Sequence, residues 1–163
     1  MKIKIIALVG LLAALVSSSP AAELMEVGKR HYGLGLASMN FGGGSAAMIT
    51  GWIPYKSSMG FQPYFGIPST TGGFSFLAGS AFKVTVSGNS QAAFHLGCDL
   101  VLGSLMSKFS VGFGGLLGVH YAPAQGLLFS IDGGPQFTIF DGATNFSVGA
   151  LSGLLGASLI YLF

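Results

Sequence analysis

From Phe109 the chain alternates: Phe109, Val111, Phe113, Leu117, Val119 and Tyr121 fall on one parity, and Ser110, Gly112, Gly114, Leu116, Gly118 and His120 on the other. One face is large and apolar, the other small or polar. The stretch from Phe94 repeats the split, with Phe94, Leu96, Cys98, Leu100 and Leu102 set against His95, Gly97, Asp99, Val101 and Gly103. A period of two is the mark of a strand whose faces meet different surroundings. The same test along the chain predicts eight strands: 31–39, 46–54, 61–68, 74–84, 92–102, 109–121, 127–140 and 147–163. The segments between them, such as Ser87-Gly88-Asn89-Ser90-Gln91 and Asp141-Gly142-Ala143-Thr144-Asn145, are rich in residues that turn a chain. Pro54, Pro68 and Pro123 fall at strand ends or in turns, while Gly133-Gly134-Pro135 predicts a bulge or bend in the seventh strand.

Composition decides what these strands face. Only 7% of the residues are charged and the mean hydropathy is +0.71, so the chain cannot clothe a water-exposed surface in the usual way. Hydrocarbon admits helices or closed barrels, because only these satisfy every backbone group internally. Segments 92–106, 109–130 and 146–163 could be drawn as apolar helices with Gly149 and Gly153 at a contact, but 27 glycines argue against helix interiors. The expected fold is all-β: an eight-stranded antiparallel up-and-down transmembrane β-barrel over 31–163.

The start of the chain reads differently. Lys2 and Lys4 precede an apolar run from Ile5 to Val16 and then Ser17-Ser18-Ser19-Pro20-Ala21-Ala22, which predicts a secretory signal peptide over 1–21. Residues 22–30 would form a short periplasmic N-terminal segment. Taking Lys2 and Lys4 from the seven basic residues leaves five, against five acids, so the mature chain is formally neutral. That excludes the basic surface nucleic acid requires. The single Cys98 permits no internal disulfide.

The last residues, Gly156-Ala157-Ser158-Leu159-Ile160-Tyr161-Leu162-Phe163, place Leu159, Tyr161 and Phe163 on one strand face. This ending resembles the C-terminal assembly signal of bacterial outer-membrane proteins, with Gly156, Leu159, Tyr161 and Phe163 in the matching roles and Ser158 where that signal usually has Gly. The whole mature chain resembles the small eight-stranded barrels typified by the OmpA membrane domain and OmpX. The resemblance implies a bacterial cell outer membrane location, with outer-membrane lipid and the barrel assembly machinery as partners, and no cofactor. Connections are short on both sides, which leaves little material for a loop-borne adhesin.

With both termini on the periplasmic side, that rim collects Tyr32, Trp52, Tyr55, Tyr64, Tyr121 and Tyr161, and the far rim carries Phe41, Phe74, Phe76, Phe109, Phe140 and Phe146. Tyr32, Trp52, Tyr55, Tyr121 and Tyr161 are the expected aromatic girdle, whereas Tyr64 points inward by parity. Ten glycines from Gly33 to Gly156, Gly51 among them, are assigned to the lumen with Ala37, Ala47 and Ala81, either leaving a narrow conduit or relieving curvature. The ionisable lumen residues are Lys83, His95, Asp99, His120 and Asp132, expected to cluster as a Lys83, His95 and Asp99 contact with Asp132 reaching across. Such a cluster could be a proton-sensitive gate through His95 or a self-neutralising plug.

No Gly-x-Ser-x-Gly elbow appears, no His/Cys/Asp spacing suits a metal, and no glycine-rich stretch leads to a phosphate-binding Lys. The chain is expected not to be an enzyme. The leading expectation is a structural or envelope-integrity barrel that could dock a partner. A narrow pore or hydrophobic-solute conduit is the alternative, and a lipid-modifying enzyme stands third.

Overall fold

The computed structural model describes residues 31–41, 44–56, 58–68, 75–89, 91–150 and 155–163. The expected signal peptide and the 22–30 segment lie outside the described residues. Nine strands form: β1 (Gly33–Phe41), β2 (Gly44–Lys56), β3 (Met59–Gly66), β4 (Phe76–Gly88), β5 (Ala92–Leu105), β6 (Lys108–Ala124), β7 (Leu127–Phe140), β8 (Ala143–Ala150) and β9 (Leu155–Leu162). Each neighbour in sequence from β1 to β8 pairs antiparallel with the next, and β9 returns to pair with both β7 and β1. The ring therefore closes as an eight-stranded antiparallel up-and-down barrel in which β8 and β9 share the eighth stave.

That division corrects the single strand expected at 147–163. The predicted separator 141–145 is too long: the turn is only Asp141-Gly142, with φ of 52° and 77°, so β8 starts at Ala143. Two successive left-handed residues give the hairpin turn whose twist matches its strands. Lower down, Gly133 pairs with Ala150 and Ile131 with Ala157, so the register against β7 shifts by five between β8 and β9. The expected bulge at Gly133-Gly134-Pro135 is absent from the β6 side. There the ladder passes from Gly114↔Gln136 to Leu117↔Gly133 with the register unchanged, merely omitting the pairs beside Pro135. The irregularity falls on the opposite edge of β7 instead.

Alternation sorts the side chains. The outward face is apolar, with Leu36, Leu100, Phe113, Ile131 and Leu159 all exposed, while the inward residues fill the lumen in three layers. Nearest the chain's end, Trp52, Ala93, Leu128 and Ile160 pack together. At the far end Met39, Met48, Tyr64, Leu77, Val101 and Leu116 form a larger apolar layer. Lys83, His95, His120, Ser130 and Asp132 lie between the two, while Ser75, Ser110 and Thr138 are buried beside the far layer.

β2 corrects part of the expected lumen. Its buried residues are Met48, Thr50 and Trp52, and Ala47, Ile49, Ile53 and Tyr55 face outward, as does Gly51 by alternation. The small residues Ala47 and Gly51 share parity with two isoleucines, and those β-branched chains take the outside. Trp52 turns inward because Gly60 on β3 leaves room: a Cβ there would overlap the indole. Other inward glycines behave alike. A side chain at Gly66 would strike Met48, and one at Gly79 would strike Tyr64. The glycine positions are covered by large neighbours, not left as free space.

Candidate functional site: a buried polar cluster in the lumen

All five predicted ionisable residues lie inside the barrel, each less than 5% exposed. Strand register decides which of them meet. Gly118 on β6 is the cross-strand partner of both His95 on β5 and Asp132 on β7. Lacking a side chain, it lets His95 Nε2 approach Asp132 Oδ1 to 2.5 Å across its own backbone. A Cβ at Gly118 would lie 2.8 Å from that nitrogen and 2.7 Å from that oxygen. The second carboxylate oxygen accepts from Lys83 Nζ at 2.8 Å and from Ser130 Oγ at 3.2 Å. Lys83 also lies 3.4 Å from Ser130 Oγ, and Ser130 and Ser158 share a hydrogen bond of 2.7 Å.

Asp132 is thus the hub that joins Lys83 and His95 from β7. Asp99 pairs with Gly114, four residues along β6 from Gly118, and acts electrostatically on Lys83 and on Tyr64. A buried ammonium so close to a carboxylate, with hydroxyl and imidazole donors completing the carboxylate's bonds, needs no counter-ion from solvent. His120 stacks on His95 with ring centroids 4.0 Å apart, and Trp52 meets His120 edge-on at 5.5 Å. Ser130, Ser158, Gly118 and Trp52 belong to this site, although only the charged and imidazole residues stand out in the sequence. The two serines share inward parity with Asp132 and Ile160, which is the signal that finds them.

The other predicted positions separate. Tyr32, Tyr55, Tyr121 and Tyr161 are exposed near the end of the barrel where the chain terminates, but Trp52 is only 4% exposed and belongs to the lumen. Tyr64 also differs in position: it lies in the far apolar layer, its hydroxyl donating to the Leu100 carbonyl at 3.2 Å. Leu159, Tyr161 and Phe163 face outward and Gly156 inward, and the Phe163 amide donates to the Tyr32 carbonyl at 2.8 Å. His31 is exposed.

On the outer wall a cleft of about 400 Å³ crosses β1, β2, β7 and β9, lined by Leu36, Ser38, Ala47, Phe129, Ala157 and Leu159. The Ser38 hydroxyl there is engaged, its Oγ accepting from the Ala157 amide at 3.0 Å. Among the described residues no group of three or more His, Cys, Asp or Glu is arranged to hold a metal. Cys98 is exposed on the outward face of β5. Compared with protein-family profiles, with curated proteins and with solved structures, the chain matches none.

Proposed function

We propose that this chain is a small outer-membrane barrel, closed to ions and solutes, whose role is structural within the envelope. The observation that carries the reading is the filled lumen. An apolar layer at each end encloses a polar layer whose Lys83 charge is neutralised by Asp132, and Met39, Met48, Leu77, Val101, Leu128 and Ile160 are each at most 1% exposed. An ion crossing such a barrel would have to displace packed side chains at two levels. The outward face supports the membrane setting: Phe109 is 72% exposed, Leu36 63% and Tyr161 62%, a surface whose natural solvent is hydrocarbon. The barrel assembly machinery would then act during insertion, and the outward Leu159, Tyr161 and Phe163 are the residues it would read. No catalysis is proposed, because Ser130 and Ser158 are buried and bonded to each other. Docking of a partner has a specific feature to draw on in the cleft over β1, β2, β7 and β9.

Purified protein in planar bilayers tests the reading. A closed record at all voltages is expected. Stepwise conductance in the wild type would overturn it and favour the narrow conduit.

A further inference from the structure

The middle of the lumen contains polar atoms for which no described residue offers a hydrogen-bond partner. They are Trp52 Nε1, His120 Nε2, His95 Nδ1 and both amide atoms of Gln62, all on side chains at least 96% buried. They are neighbours, not scattered. Trp52 touches His120, and His120 stacks on His95. Gln62 lies on the same face of β3 as Gly60, two residues from the glycine that the indole covers. Native proteins rarely leave such groups alone, and each orphan in an apolar surrounding would be strongly unfavourable.

The chemistry of the group narrows what can serve it. Trp52 Nε1 only donates, and the Gln62 amide both donates and accepts. His95 Nε2 faces a carboxylate oxygen and must carry its proton there, so Nδ1 accepts when the ring is neutral and donates when it is charged. A partner must therefore both give and receive hydrogen bonds. It must also be uncharged, since Lys83 is already held by Asp132, and it must fit between two apolar layers. We infer that the middle of the barrel binds a small cluster of ordered waters that joins Trp52, His120, His95 and Gln62 and is sealed from both ends. Buried water of this kind makes two to four bonds to otherwise unpaired groups and is part of the fold.

Trp52 is the chain's only tryptophan, so the indole reports on the site without interference. The inference rests on the closed-barrel reading for its sealed ends, and the two fail separately: conductance tests the seal, and the water cross-peak tests hydration of the indole. In the full chain folded in detergent micelles, the expected result is emission at the longer wavelength of a hydrogen-bonded indole, no quenching by acrylamide, and a water cross-peak to the indole N–H by NMR. Gln62→Leu and His120→Phe should each shift the emission to shorter wavelength. Short-wavelength emission in the wild type with no water cross-peak would overturn the inference, showing a dry middle. Strong acrylamide quenching would also overturn it, showing a lumen open to bulk solvent. The wild-type NMR measurement decides the matter even where a variant fails to fold.

Discussion

Strands β4 to β7 and the strands flanking the ends of the described chain, β1, β2, β8 and β9, complete one ring but carry different loads. The first wall is long: the β5–β6 ladder pairs residue for residue from Ala92↔Tyr121 to Leu105↔Lys108, and the register shifts of its other two ladders, at Thr85/Ser87 and Tyr121/Ala124, fall toward the turns at one end. Among the described residues it holds every buried Lys, His and Asp: Lys83, His95, Asp99, His120 and Asp132. The second wall turns Ala37, Met39, Met48, Ser158 and Ile160 inward, breaks register at Ser38/Met39, and carries the displacement between Ala150 and Ala157. A buried charge needs a partner held to within fractions of an ångström, and a continuous ladder supplies that. Uncharged side chains adapt to an irregular backbone, so the joint of the ring falls where no charge depends on it.

Removing one partner from the charged wall should have the largest effect. Asp132→Leu leaves Lys83 buried and unpaired and should cost about 3–5 kcal/mol in urea unfolding. Lys83→Met added to Asp132→Leu should recover most of it; failure to recover would mean that the charge pair is not the determinant. Gly118→Val comes next, at about 3 kcal/mol, because its Cβ meets His95, Asp132 and the Ile131 carbonyl. On the other wall Ala47→Val, facing outward, should change stability by less than about 0.5 kcal/mol. Equal losses at these two positions would erase the distinction between the walls.

The turns make a finer test. Gly142 has φ of 77° and open space around it, so Gly142→Ala should cost about 1 kcal/mol through backbone strain alone. Met106 adopts φ of 50° with a full side chain, so Met106→Gly should gain up to about 1 kcal/mol. Both are read by the same unfolding curves, and opposite signs are required. The smallest effect is expected at the exposed Lys108–Asp141 pair, where Lys108→Ala should change stability by at most about 0.5 kcal/mol.

Alternation in size made the first wall legible. β7 occupies the residues predicted for it, 127–140, and the inward placement of all five ionisable residues follows from parity. β2 misleads because its small residues share a face with Ile49 and Ile53, so size and parity disagree about which side is the lumen. Cysteine labelling of Ile53→Cys and Trp52→Cys in a Cys98→Ser background checks the observed facing: the first should react with a membrane-permeant maleimide and the second should not. The eighth stave departs from expectation for a different reason. A pattern of apolar and small residues continues through 147–163, and nothing local announces the change of register against β7.

The amino-acid order alone determined a ring of antiparallel strands with an apolar exterior, since facing depends on each residue's own position along its strand. Tertiary structure decided what met inside. Asp132 meets both Lys83 and His95 because strand register set it opposite His95 across Gly118. Trp52 filled the place that Gly60 left open. Contacts across a barrel depend on the offset between strands distant in sequence, and that offset is fixed only when the ring closes.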